Sequence, residues 1–309
     1  MKIKNCILVT LTISHWDANS LDRLVSEAVA TANGVKDQRM CRLRKSLLPK
    51  TAVMDQLVSS IRAARTYHYE NTHAWVHEGP RILTRGNYDA YMRQMSVYKS
   101  DFKTSVLDFK AQYEDIKATA QDVLGALYKE EDYPSQSYLD DKYRFDISPL
   151  PMPEASTLLD FGLDAQEAQA LKTQLEKELS ETFAKANKKM WADLYAKLEK
   201  LSKKVNEPGG YVMDETIAGV VRLAELVPRI NLTGDARLDA VAKHLCLTLE
   251  GVTAVGLKVN PALKARVAKE SLLAVAAMQA MMGAESSLES PAGPSSAAPR
   301  VGTADRVSL

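Results

Sequence analysis

The chain has little of what usually betrays chemistry or export. Three cysteines occur in 309 residues, Cys6, Cys41 and Cys246, and none forms a Cys-x-x-Cys pair. An odd, scattered set argues against a disulfide framework and a cysteine zinc site, and makes a reducing cytoplasm the expected compartment. Glycine and proline are scarce, 14 and 12, and five of them fall within residues 284–309. A many-turned β fold would be short of breakers. No run approaches the ~20 apolar residues that span a bilayer, so no membrane role is expected. The opening stretch to Ser14 resembles a signal peptide only superficially. Thr10 and Thr12 interrupt it, and His15-Trp16-Asp17 follows where a small-residue cleavage site belongs. Nucleotide and acyl-transfer motifs are missing as well. Gly209-Gly210 and Thr233-Gly234 have neither phosphate-loop nor dinucleotide spacing, and no Gly-x-Ser-x-Gly elbow occurs. No catalytic residue and no cofactor is assigned.

What is present is helical patterning. One seam runs Met95, Tyr98, Phe102, Val106, Phe109, Tyr113, Ile116, Ala120, Val123, Leu127, advancing 32 residues in nine steps, a mean of 3.56. A second runs Leu171, Leu175, Leu179, Phe183, Ala186, Met190, Leu194, Leu198, Leu201, Val205, advancing 34 in nine, a mean of 3.78. The two periods straddle the straight-helix value, so the seams cannot share one regular coiled coil over their whole length. Each predicts a helix roughly 50–65 Å long at ~1.5 Å per residue. Two strands are predicted: Ile7 to Ile13, which alternates with β-branched residues, and Lys142 to Ser148, with Tyr143, Phe145 and Ile147 on one face. Isolated strands in a helical chain are expected to pair with each other.

Between these lie further helix signals. A helix following Pro49, with Met54, Leu57, Val58, Ile61 and Ala64 on one face, is expected to extend to Trp75 or His77. Gly86-Asn87 opens the first seam helix, which is expected to continue to Tyr128. Asp164 is a good N-cap for the second, which Asn206-Glu-Pro-Gly-Gly210 ends. Shorter helices follow over about 212–227, broken at Pro228, then from Thr233-Gly-Asp235, then from Asn260-Pro261 to about Met282. The fold predicted is mainly α: an elongated antiparallel long-helix bundle or coiled-coil arm, with a small two-stranded β element and a C-terminal helical bundle. Its expected divisions are 1–160, 161–283 and a disordered Ser/Pro/Ala/Gly-rich tail over 284–309.

Several segments carry a family resemblance: Leu47-Leu-Pro-Lys50, His68-Tyr69, Trp75, Arg81-Ile-Leu83, Tyr88 with Tyr91-Met92, Tyr133-Pro134, Phe145, Leu150-Pro151 and Val227-Pro-Arg-Ile-Asn-Leu-Thr-Gly-Asp235. The last is the most specific. Over about residues 10–255 the chain resembles an uncharacterised helical family of bacteriophage and prophage proteins, classified only as a domain of unknown function. Such genes sit beside those of a MoxR-like AAA+ ATPase and a CobT-like protein. The resemblance therefore implies a non-enzymatic interaction protein whose partner is an AAA+ ATPase assembly, with self-association a further option. It supplies no catalytic residues.

Three side-chain clusters deserve a chemical reading. Glu70, His73 and His77, with Glu78 beside them, would share one helix face and offer three metal ligands. The order is not His-Glu-x-x-His, and a polar helix end favoured by the dipole is the plainer account. Lys36, Arg39, Arg42, Arg44, Lys45 and Lys50 form a basic stretch that would release counterions from a phosphate backbone. Arg62 and Arg65 would extend it, and Tyr67 or Tyr69 would stack on bases. Nucleic-acid binding in phage replication, recombination or host interference is thus the alternative function. The rival account is a solvated linker pairing with an acidic waist. Residues 1–110 carry 17 Lys/Arg against 10 Asp/Glu, whereas residues 111–170 carry 4 against 13. Within that waist, Glu130-Glu-Asp132 and Asp140-Asp141 lack EF-hand spacing and read as a solvated loop.

Overall fold

The computed structural model describes residues 5–75, 79–152 and 164–288. The chain is mainly helical with a small sheet, and it divides into two compact units. Unit 1 comprises 1–189 and 225–240; unit 2 comprises 190–224 and 241–309. The expected boundary near 160 lies outside the described residues.

In unit 1 the first strand is β1 (Cys6–Ser14), followed by β2 (Asn19–Leu21), helix α1 (Arg23–Ala32) and β3 (Arg44–Ser46). Next come α2 (Ala52–Glu70), β4 (His73–Ala74) and β5 (Arg81–Thr84). Then follow α3 (Arg85–Ala111), α4 (Tyr113–Leu124), α5 (Gln136–Lys142) and β6 (Arg144–Leu150). The two expected strands do pair, antiparallel, with Leu11 opposite Ile147 and Ile13 opposite Phe145. The β element is larger than two strands, however. Its order is β4-β5-β1-β6, and β2 and β3 form a separate two-stranded antiparallel sheet. The extra strands are too short to show a period in the sequence. Leu8 and Val9 are both buried, and they point to opposite faces of β1. Leu8 packs with Ile82 and Phe183, whereas Val9 and Ile13 join the main core. Coverage on both faces explains the nearly unbroken apolar run of this strand.

Thr51 caps α2, its Oγ1 accepting from Met54 N at 3.3 Å. The helix stops at Glu70 rather than at Trp75 or His77. Asn71 and Thr72 turn their side chains back onto the carbonyls of Tyr67 and His68, which closes the last turn. The first seam is buried from Met95 to Ala120, but two helices carry it. Gln112, at φ −102° and ψ 0°, breaks the run. The break seats Tyr113 in the core against Trp16, with its hydroxyl donating to Pro134 O at 2.9 Å. Val123 and Leu127 emerge into solvent. Helix α3 pairs with α2 in opposite senses: Asn71 meets Asn87, His68 meets Tyr91 and Tyr67 meets Tyr98.

The second seam forms one helix, α6 (Ala165–Asn206), capped by Asp164, whose Oδ1 accepts from Gln166 N and Glu167 N at 2.8 Å each. It contributes residues to both units. Its stripe is buried from Leu179 to Val205, while Leu171 remains 43% exposed. Next is α7 (Asp214–Ile230), which runs through Pro228 instead of breaking there. Pro228 lies in the final turn, where one lost backbone donor is tolerated. Then follow α8 (Ala236–Leu249), α9 (Ala254–Val259) and α10 (Pro261–Leu288). Asn260 caps α10 as expected. The helix extends past Met282 into the predicted tail, whose remainder from 289 lies outside the described residues. In unit 2, Trp191 is 1% exposed and belongs to the core.

Candidate functional site

The metal candidates do not share a helix face. Glu70 ends α2 and His73 sits on β4; His77 and Glu78 lie outside the described residues. His73 Nε2 donates to Ile230 O at 2.7 Å, so that nitrogen carries a proton and is closed to a metal. Among the described residues no group of three His, Cys, Asp or Glu is disposed to hold an ion.

The basic stretch is also dispersed. Lys45 is 8% exposed at its side chain and lies 2.8 Å from Asp132 Oδ2 and 3.5 Å from Asp22 Oδ2, and it donates to Leu127 O at 2.6 Å. It is an internal ion pair, not part of a cationic surface. Its acid partners lie far away in sequence, which no local pattern reveals. Arg39 and Arg44 remain exposed but pair with Asp37 and Asp17; Lys50 stands 3.9 Å from Asp55. Lys36 and Arg42 are exposed. Arg65 donates to Ile13 O and so serves the sheet. The acidic loop is likewise engaged: Glu130 pairs with Lys117 and accepts from the Tyr128 hydroxyl, and Asp140 pairs with Lys110.

The densest polar constellation lies where α2 ends and α3 begins, within unit 1. His68 is 4% exposed and shares a 2.7 Å hydrogen bond between its Nδ1 and the hydroxyl of fully buried Tyr91. Asn87, also fully buried, donates from Nδ2 to both Asn71 O and Asn71 Oδ1 at 3.1 Å. Thr72 Oγ1 donates to His68 O and accepts from Arg81 Nε at 2.7 Å, and Arg81 also donates to Thr72 O. Burial, with the nearby Arg81 charge second, pushes the His68 pKa down to about 4. Burial first, then the Tyr67 hydroxyl, drives Tyr91 well above the usual phenol range. Near neutral pH both groups are therefore uncharged.

The Val227–Asp235 segment closes this corner. The helix end leaves carbonyls without helical donors, and distant side chains supply them. Thr84 Oγ1 donates to Arg229 O at 2.5 Å and His73 to Ile230 O. Asn231 then ties the following loop, donating to Asp235 O and Asp239 Oδ1 and accepting from Asp235 N. Gly234 takes the positive φ of +65° that the turn requires.

The chain matches no protein-family model, no curated protein and no solved structure. Its site is therefore read from geometry.

Sequence reasoning passed over His68 and Asn87, although a signal exists. Leu57, Ile61, Ala64 and His68 occupy one helical stripe, as do Asn87, Tyr91 and Met95. A polar residue on a buried stripe demands a partner. One prediction follows from the histidine. Folded His68 stays neutral while the unfolded side chain takes a proton below pH ~6.5. Stability is thus fully present above ~6.5 and declines as pH falls toward about 4, by about 3 kcal/mol in total. His73, lowered chiefly by burial, adds a loss of the same sign. Urea midpoints across this window should fall with pH in the wild type and fall less in His68→Gln. An unchanged slope in that variant would refute the assignment.

Proposed function

We propose that the protein is a non-enzymatic interaction protein of the phage and prophage type, and that it binds a protein partner. The observation that carries this reading is the apolar surface of unit 2. Val255 and Val259 stand one turn apart on α9 and are 66% and 70% exposed; Leu272 and Leu273 on α10 are 52% and 56% exposed, and Leu247 is 62% exposed. A contiguous exposed aliphatic patch marks an interaction surface, and the i, i+4 pair Val255/Val259 and the neighbours Leu272/Leu273 are where such a patch would form. The 42-residue α6, about 63 Å at ~1.5 Å per residue, supports the further reading of a long-helix arm. The partner implied by the family resemblance is an AAA+ ATPase assembly.

Co-expression with an AAA+ ATPase encoded beside the gene tests the reading. The two proteins should co-elute, and Leu272→Glu with Leu273→Glu should abolish co-elution while helix content is kept. Separate elution of the wild-type proteins would reject the ATPase as partner.

A further inference from the structure

The corner where α2, β4, β5 and α3 meet carries side chains that the protein-binding reading does not use, although Arg81 also ties Thr72. Two guanidinium groups sit on tyrosine rings. Arg81 Cζ lies 4.8 Å from the Tyr69 centroid, and Arg85 Cζ lies 5.6 Å from that of Tyr88. Tyr69 is 60% exposed, so much of it is available to a ligand. The returning chain adds Arg229, whose side chain is exposed while its carbonyl is held by Thr84. Gly86 permits that approach, because a Cβ there would stand 3.1 Å from Arg229 O. Arg93, two turns beyond Gly86 on α3, is exposed as well. Burial raises the Tyr67 pKa, and the charges of Arg229 and Arg93 oppose that rise. Asp89, 3.1 Å from Arg85, and the exposed Glu70 offset only part of this charge.

We propose that this corner is a binding surface for single-stranded nucleic acid, with Arg81, Arg85, Arg93 and Arg229 taking phosphates and Tyr69 and Tyr88 stacking on bases. All four cations are arginine, whose planar fork matches a phosphate in a way that lysine does not. Arginine also stacks on aromatic faces, which keeps the rings oriented for a base. An acidic peptide would engage the charges but has no use for the rings. A duplex hides its base faces within its own stack. The surface is separate from the Arg39–Lys50 stretch and independent of the protein-partner reading.

Fluorescence anisotropy of the full chain with a labelled oligothymidylate of about 20 nucleotides tests the proposal. At about 50 mM salt the protein should bind, and affinity should fall with salt at a log–log slope near about −3, as for four phosphates. Arg93→Glu with Arg229→Glu should weaken binding at least about tenfold at an unchanged thermal midpoint, since both side chains are exposed. Tyr69→Ala should weaken it at least about fivefold while Tyr69→Phe stays within about twofold. Arg39→Glu, Arg42→Glu and Arg44→Glu together should bind like the wild type. Absence of wild-type binding overturns the proposal, as does full binding by the Arg93/Arg229 variant. Displacement by polyglutamate with no effect of Tyr69→Ala would also overturn it, in favour of an acidic peptide.

Discussion

Lys45→Ala should lower the stability of unit 1 by about 3–5 kcal/mol, a loss out of proportion to one lysine. The ammonium is 8% exposed and pairs at 2.8 Å with Asp132, whose side chain is 16% exposed. Removing it leaves the Asp132 carboxylate in a poorly solvated site with only the Ser20 hydroxyl, at 2.7 Å, still donating to it. Asp22 is less affected, because its Oδ1 keeps the cap bond from Val25 N. Removing both charges should hurt less than removing one, so Lys45→Met with Asp132→Leu should recover much of the loss. Urea unfolding of the two single variants and the double variant measures this as a coupling energy. Arg39→Ala, which breaks an exposed pair with Asp37, should leave the midpoint where it is. If Lys45→Ala proved as mild as Arg39→Ala, the buried ion pair would not be contributing.

Tyr91→Ala should cost about 4 kcal/mol, and Tyr91→Phe about 1–3 kcal/mol. The ring is fully buried and stacks on Tyr67 at 6.1 Å and 20°, so truncation opens a cavity between α2 and α3. Phenylalanine keeps the ring but strips His68 Nδ1 of its 2.7 Å partner. That nitrogen is 23 residues away in sequence and has no water-exposed alternative in a residue 4% exposed. Thermal and urea unfolding of the two variants separate packing from hydrogen bonding. Equal losses in both would place the whole effect in the polar contact, whereas a neutral Tyr91→Phe would place it in the ring alone.

These predictions turn on groups of very different legibility. Tyr91 was visible as part of a helical stripe, and its burial needs only the 3.6-residue period. Its hydrogen bond was not, because His68 belongs to another helix. Lys45 was read as one cation among six in a basic stretch. The sequence cannot tell it from Arg44, its neighbour, which stays in solvent. Adjacent strand residues point to opposite faces, so one is delivered to Asp132 and the other to Asp17. The shared helix face expected for Glu70 and His73 failed for a related reason. It assumed that α2 continued beyond Glu70, whereas Asn71 and Thr72 cap the preceding carbonyls and let the chain enter β4.

Local sequence determined what is settled within a turn or two of the chain. The seam periods determined which side of α3, α4 and α6 is buried, and Thr51, Asp164 and Asn260 determined where α2, α6 and α10 begin. The strand alternation determined β1, and the scarcity of other strands its pairing with β6. Tertiary structure decided the rest: the break at Gln112, the passage of α7 through Pro228, the burial of Lys45, and the convergence of His73 and Thr84 on the carbonyls of Ile230 and Arg229. In the last case the partners lie 157 and 145 residues apart. Periodicity and capping are short-range effects of backbone geometry, whereas burial and pairing depend on whichever distant groups the fold brings within a few ångströms.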